Sequence, residues 1–310
     1  MKKAMIVFLF IFLIFGIYAQ NIYIGGSYSD EINLSGKGRK ACYWKNGVQY
    51  EIDGVSIDAI TVYKTSVYIA GVYRENICRY WIDGKPYELP DCLRVYKIHV
   101  DNFDVYVVGD NERNKTCYWK NGVQQNGPSD GIFYPKCFTV INGIVYIAGS
   151  FDKGIDFYTC YWVDNIRYEL SNSKNFSPCG IEVVGNQIYI GANNFQSQAC
   201  YWIDNKQHIF SNTDGLPIDV FKVYNSNIYM VSNKYYFING IRREYNIEGY
   251  IYNIVSKQAY FVNRGNVYIA GWYFYQNQNK VRAGYWIDGV HHILDGKGRY
   301  FNIETIFVYE

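Results

Sequence analysis

The residues in this chain best suited to chemistry are few. Glu182 and Lys222 supply a carboxylate and an ammonium, and His99 supplies one of only four imidazoles in 310 residues. A carboxylate beside an ammonium makes an ion pair or, where burial shifts the pKa values, an acid–base pair. Four histidines are too few for a multi-histidine metal or haem site. The eight cysteines show no Cys-x-x-Cys or Cys/His cluster, so neither a metal nor a cofactor is expected. Asp30, Glu31, Asp152 and Asp156 are acids that could serve glycoside hydrolysis, in which two carboxylates can come from separate loops. The chain has no Ser-x-Asp-x-Gly-x-x-Trp box, Gly-x-Ser-x-Gly elbow, His-Glu-x-x-His helix, P-loop or dinucleotide fingerprint. No residue is therefore assigned as catalytic. The remaining candidates are aromatic: Tyr28, Tyr73, Phe151, Trp272, Tyr273 and Tyr275. Aromatic faces hold sugar rings and peptide side chains by apolar contact at little entropic cost.

The elements that must position these residues follow from one recurring phrase. Cys42-Tyr43-Trp44-Lys45-Asn46-Gly47 returns around Trp81, Trp119, Trp162, Trp202 and Trp286, with a decayed copy at Tyr235-Tyr236-Phe237-Ile238-Asn239-Gly240. The copies lie 35 to 49 residues apart. Each ends in an Asn/Asp-Gly or Asp-Asn pair, the pair that a type I′ hairpin needs because both central residues take positive φ. Ahead of each copy stands an apolar run such as Val67-Tyr68-Ile69-Ala70-Gly71. Apolar residues on both faces of that run predict a strand packed on both sides.

A period near 40 with four strand-like runs per unit predicts an all-β, seven-bladed β-propeller with four antiparallel strands (A, B, C, D) per blade. The chain after residue 19 starts almost at once in a B strand. It ends in Thr305-Ile306-Phe307-Val308-Tyr309, which reads as an A strand with no B strand after it. The C-terminal strand is therefore expected to close the first blade and remove the free sheet edges. One domain over residues 20–310 results.

The short A–B and C–D turns share one face of such a ring, and the long B–C and D–A connections share the other. The long connections include 27–40, 150–159 and 272–283 between B and C, and 126–136, 171–178 and 211–218 between D and A. Variable loops on a rigid scaffold are where binding usually sits. The aromatic candidates fall there: Tyr28, Tyr73, Phe151 and Tyr273 hold one repeat position just past the end of strand B, with Trp272 and Tyr275 alongside. They form a rim around the mouth or cover the blade junctions. His99, Glu182 and Lys222 hold one position in strand A and are expected to line the channel, with Glu182 and Lys222 on adjacent blades able to pair. The tryptophans of the phrase recur with the period and are read as packing between blades. Cys42, Cys117, Cys160 and Cys200 are read as small buried residues, and a bridge among Cys78, Cys92, Cys137 and Cys179 stays open.

With Gly25-Gly26 closing its first B strand and an aromatic following in each unit, the chain loosely resembles the Kelch-type propellers. It looks more like an exported bacterial relative built from Tyr-Trp-x-Asn/Asp-Gly units. The resemblance implies the fold and, by analogy, a ligand face on the B–C and D–A loops.

Residues 1–19 read as a secretory signal peptide: Lys2 and Lys3, an apolar run from Ile6 to Phe15, then Ala19 before the cut. The run is short for a membrane span, and an uncleaved anchor is the other reading. Without Lys2 and Lys3 the chain carries 28 basic and 28 acidic residues. That balance argues against nucleic acid as a partner. The expectation is an exported, monomeric, non-catalytic propeller in the periplasm, on the cell surface or secreted, binding a protein, peptide or glycan on its long loops. The alternative is a hydrolase or lyase acting on polysaccharide from the same scaffold.

Overall fold

In the computed structural model, the described residues are 20–30, 38–74, 77–113, 115–127, 133–164, 166–194, 196, 198–210, 217–232, 235–244, 250–253, 259–274, 281–298 and 300–309. The expected signal peptide and Tyr275 lie outside them. The architecture begins with the seven Asn/Asp turns. Asn46, Asp83, Asn121, Asp164, Asp204, Asn239 and Asp288 all take φ between 45° and 51°. Gly47, Gly84, Gly122, Gly240 and Gly289 follow with φ of 81–88°. Each reversal joins strand C to strand D in a tight hairpin.

Seven sheets result. Blade 1 holds β1 (Asn21–Ser29), β2 (Lys40–Lys45), β3 (Val48–Glu51) and the C-terminal β29 (Tyr300–Tyr309). Blade 2 is β4 (Ser56–Tyr63), β5 (Ser66–Arg74), β6 (Ile77–Ile82) and β7 (Lys85–Glu88). Blade 3 is β8 (Cys92–Asp101), β9 (Asp104–Asn111), β10 (Thr116–Lys120) and β11 (Val123–Asn126). Blade 4 is β12 (Phe133–Ile141), β13 (Ile144–Asp152), β14 (Phe157–Val163) and β15 (Ile166–Lys174). Blade 5 is β16 (Phe176–Val184), β17 (Gln187–Asn194), β18 (Ala199–Ile203) and β19 (Lys206–Ile209). Blade 6 is β20 (Val220–Tyr224), β21 (Asn227–Val231), β22 (Tyr235–Ile238) and β23 (Ile241–Glu244). In blade 7 the inner strand comes in two pieces, β24 (Tyr250–Asn253) and β25 (Tyr260–Asn263), beside β26 (Asn266–Phe274), β27 (Val281–Ile287) and β28 (Val290–Ile293).

Closure is made by hydrogen bonding. Strand β29 pairs antiparallel with β1 from Asn21↔Tyr309 to Ser29↔Tyr300. The inner strands β29, β4, β8, β12, β16, β20 and β25 each touch the next around the ring, and β25 touches β29. This is a complete ring of seven A strands around an axis.

The Tyr-Trp pair works on both faces of its blade because successive side chains of a strand point opposite ways. The tyrosine stacks on the D-strand residue directly opposite: Tyr43 on Tyr50 at 5.2 Å, Tyr80 on Tyr87 at 5.0 Å, Tyr161 on Tyr168 at 5.1 Å. In blades 5 and 7 a histidine takes the partner's place, with Tyr201 on His208 and Tyr285 on His292. The tryptophans of the phrase enter the core at 0–1% exposure. Each such ring contributes roughly 4–6 kcal/mol of transfer free energy as an upper figure. The indole nitrogens of three of them also strap neighbouring blades. Trp44 Nε1 donates to the Asp295 carbonyl at 2.8 Å, Trp119 to Pro90 at 2.9 Å and Trp202 to Ser171 at 2.8 Å. In each case the acceptor belongs to the preceding blade: Asp295 and Pro90 just past its outer strand, Ser171 within β15. Blade 6 has Phe237 instead, and Phe210 from blade 5 packs edge-on against it at 5.7 Å.

The loop expectations need correction in places. The stretch 171–178 is strand: β15 runs to Lys174, β16 starts at Phe176, and only Asn175 (φ 61°) lies between them. The reason is the unusually long hairpin of β13 and β14, which brings Tyr158 opposite Lys174 and gives β15 a ladder to follow. The Asn175 N–H then closes on the Phe157 carbonyl at 2.6 Å. The same extension reduces the expected 150–159 loop to 153–156. Likewise β26 continues to Phe274 before β27 resumes at Val281.

Candidate functional site

Two regions combine residues that break the repeat: the long-loop face and the channel. On the long-loop face the position two beyond the strand-B glycine, which the longer strands place inside strand B and not in the loop after it, holds aromatics in blades 1, 2, 4 and 7 and asparagine in blades 3 and 5. The asparagines close their own loops. Asn111 Oδ1 accepts the N–H groups of Arg113 and Lys115 at 3.0 and 3.1 Å, and Asn194 Oδ1 accepts those of Gln196 and Gln198 at 3.0 and 2.8 Å.

The aromatics differ from one another. Tyr28 is only 3% exposed and its hydroxyl donates to Glu51 at 2.8 Å. Burial, with the Glu51 carboxylate beside it, pushes the phenol up to about 12. Its ring is thus core and not open surface. Tyr73 is half-buried with the Arg79 guanidinium 3.6 Å and the Arg74 guanidinium 4.6 Å from its ring centre. Arg79 is held in turn by Glu88 at 2.5 Å. Phe151 is half-buried under Arg167 at 4.3 Å. Trp272 is half-buried in β26 opposite Ala283, and Tyr273 follows opposite Arg282. Two of the loop acids are engaged locally, and Asp30 is exposed at the end of strand β1. Asp152 accepts the Gly154 N–H at 2.7 Å, and Asp156 pairs with Lys174 at 2.8 Å. Glu31 lies outside the described residues.

The channel is built by a bulge. In β29, β4, β8, β12 and β16 the register with strand B slips by one residue, leaving Glu304, Asp58, Tyr96, Lys136 and Cys179 unmatched. The strand-B glycine is what allows it. A Cβ on Gly26 would stand 2.0 Å from the Asn302 carbonyl oxygen, on Gly71 2.2 Å from that of Ser56, and on Gly109 1.8 Å from that of Arg94. The sequence marks these glycines without revealing the bulge opposite them.

Three residues beyond the bulge, one level of the ring is occupied by Thr61, His99, Thr139, Glu182, Lys222, Phe261 and Phe307. Each stands opposite the tyrosine of its strand B. Glu182 and Lys222 form an ion pair across blades 5 and 6. Phe261 and Phe307 meet edge to face at 4.9 Å across blades 7 and 1. Between these walls His99 is held down to about 4 by burial and by the positive charges of Lys97 and Lys222. It is a neutral imidazole at pH 7 and not a base poised near neutrality.

Lys97 was not singled out by the sequence. Its position in the other blades holds Thr305, Ala59, Cys137, Gly180, Val220 and Ala259, all small or apolar, and that contrast was the available signal. The Lys97 ammonium donates to the Phe138 carbonyl at 2.9 Å. Burial, then Lys222, bring it down to about 8. On the neighbouring blade 2 Asp58, bonded by the Ser56 hydroxyl at 3.0 Å, is pushed up to about 7 by burial, with Glu304 adding to the shift. Burial raises Glu304 as well. Among the described residues no three His, Cys, Asp or Glu side chains group as a metal site, and all eight cysteines are free thiols. A shallow aromatic cleft lies at the rim between blades 5 and 6, lined by Tyr201, His208, Phe210, Ile228 and Asn239.

No known family pattern and no curated protein matches this chain. Solved structures do. The chain is similar to the β-propeller domain of the Trilobed protease from Pyrococcus furiosus, with a TM-score of 0.60, 10% identity, and coverage of 89% of this chain and 92% of that one. That domain has an open velcro topology, whereas here β29 pairs with β1. It is also similar to a Mycobacterium tuberculosis puromycin-hydrolyzing peptidase (TM-score 0.56, 7% identity, 88% of this chain). A third likeness is to Pyrococcus horikoshii acylaminoacyl peptidase (TM-score 0.56, 11% identity, 89% of this chain). It spans 51% of each of those two peptidase chains. At such identities the likeness is one of fold. The chain is a seven-bladed β-propeller of four-stranded antiparallel blades, closed by its C-terminal strand. Among the described residues no helix is long and apolar enough to cross a membrane.

Proposed function

We propose that this chain is a non-catalytic binding scaffold whose long-loop face receives a protein, peptide or glycan partner. The observation that carries this reading is the contrast between the two faces. All seven C–D turns share one capped geometry. On the opposite face one repeat position varies from a buried tyrosine to loop-closing asparagines and to Tyr73 and Phe151 set against guanidinium groups. Half-buried aromatics held by arginine are rigid, amphipathic contact surface of the kind that anchors interfaces. With the basic and apolar N-terminal segment, the scaffold acts after export, in the periplasm, at the cell surface or outside the cell.

The test is capture of partners from envelope extract and on a glycan array, comparing the native chain with a Tyr73→Ala/Phe151→Ala/Trp272→Ala variant of unchanged melting temperature. Loss of a captured partner in the variant supports the reading. Equal capture by both proteins would sink it.

The polysaccharide-acting alternative rests on a different observation, the acids Asp58 and Glu304 at equivalent bulges of adjacent blades. A carboxyl raised to about 7 is suited to general-acid work. Turnover of a polysaccharide that disappears in Asp58→Asn would favour it over the binding reading.

A further inference from the structure

The strand-A level that holds Phe307 and Lys222 is amphipathic across the channel, and nothing in the repeat requires it. Blades 7 and 1 contribute an aromatic wall, Phe261 against Phe307 at 4.9 Å. Blades 5 and 6 contribute Glu182 and Lys222, and blade 3 contributes His99, with Lys97 two residues before it at the position of Ala59 and Thr305. Lys97 stands on blade 3 and feels both Lys222 of blade 6 and Glu182 of blade 5. Blades that far apart meet only across the axis, so these side chains converge in the channel. Glu182 neutralises one ammonium and His99 is uncharged, which leaves one positive charge in excess. Among the described residues Lys97 has the Phe138 carbonyl as its hydrogen-bond partner and no carboxylate at ion-pair distance. An ammonium so placed costs stability by desolvation unless something anionic joins it. The ring residues other than Thr61 are half-buried, open in part to the channel. The acids Asp58 and Glu304 sit at the bulge level of blades 2 and 1, and Asp101 lies beside His99.

We propose that the channel binds a small organic carboxylate with an aromatic or apolar body. Its carboxylate sits between Lys97 and Lys222, and its ring lies against Phe261 and Phe307. The site is separate from the long-loop face and stands or falls independently of the partner proposed there.

Benzoate is the probe, titrated into the intact chain by calorimetry, with acetate and inorganic phosphate as comparisons. The expected result is saturable benzoate binding, weaker for acetate, which lacks the ring. Lys97→Met and Lys222→Met should each weaken it roughly tenfold or more, and Phe307→Ala should reduce the preference for benzoate over acetate. Lys97→Arg should retain binding. A second measurement needs no variant. A carboxylate beside Lys97 raises the ammonium pKa from about 8, so binding near pH 8 should take up protons. Heats measured in two buffers of different ionisation enthalpy read that uptake. Absence of saturation at millimolar benzoate overturns the proposal. So does binding without proton uptake, unchanged affinity in folded Lys97→Met and Lys222→Met, or tighter binding of phosphate than of benzoate.

Discussion

The Asp83 carboxylate accepts the backbone N–H of Val67 at 2.8 Å, while the Asp83 N–H donates to the Val67 carbonyl at 2.9 Å. This reciprocal pair joins the C–D turn to the start of strand B. It recurs as Asn46 with Ile22, Asn121 with Val105, Asp164 with Val145, Asp204 with Ile188, Asn239 with Ile228 and Asp288 with Val267. The Asn/Asp of the repeated phrase therefore does two jobs. It tolerates positive φ, and it caps an N–H that would otherwise lack a partner. Glycine could do only the first.

That distinction is measurable. Asp83→Gly keeps the turn's conformation and loses the cap, for an expected cost of about 1–3 kcal/mol. Asp83→Ala loses the cap and strains a residue at φ 49°, adding about 1–2 kcal/mol. Chemical denaturation should rank native, then Gly, then Ala. Equal stability of native and Asp83→Gly would show that the cap contributes nothing.

The tryptophan strap separates in the same way from tryptophan packing. Trp202→Phe keeps most of the ring in the core but leaves the Ser171 carbonyl without its 2.8 Å donor. The expected loss is about 1–3 kcal/mol, seen as a lower denaturation midpoint. Phe237→Trp in blade 6 should give no gain, because Phe210 already fills that junction.

Gly71 sets the strand-A bulge. In Gly71→Ala the new methyl would meet the Ser56 carbonyl oxygen at 2.2 Å, so backbone must shift. Destabilisation of about 1–3 kcal/mol or more is expected. The shift falls next to Asp58, so backbone amide NMR changes should centre on residues 56–59. A fully tolerated alanine would contradict the close approach.

Asp58 gives the molecule a pH signature. Its folded pKa, about 7, lies above the ordinary value of 3.8. The folded state therefore holds the proton more tightly than the unfolded one. The stabilisation this brings is complete below about pH 4 and is lost as pH rises through 7. Asp58→Asn should abolish this dependence and raise stability at pH 8 relative to native by about 1–3 kcal/mol, allowing for screening by channel water. His99 and Lys97 act in the opposite sense. Each has a lowered folded pKa, so its contribution is present above the unfolded value and lost as pH falls through about 4 for His99 and about 8 for Lys97. Melting temperature against pH for Asp58→Asn and Lys97→Met separates the two contributions.

The chain alone determined the ring. Trp44 and its copies, the Asn/Asp pairs after them and the unpaired strand signature of Thr305 to Tyr309 state how often each blade turns and how the last strand must close the first. These are local requirements of φ, alternation and edge pairing, so they leave a periodic trace. The tertiary structure decided everything that depends on opposition across the ring. His99, Glu182, Lys222, Phe261 and Phe307 are far apart in sequence, and the axis alone brings them to one level, with Lys97 two residues before His99 on blade 3. The bulge that sets that level is invisible in sequence because it appears only as glycine at Gly71 and its equivalents, a residue that also marks turns and strand ends. Tyr28 and Tyr73 share one repeat position, yet one is core and the other lies against two guanidiniums. Residues contributed by other elements, Glu51 to the first and Arg79 to the second, make that difference.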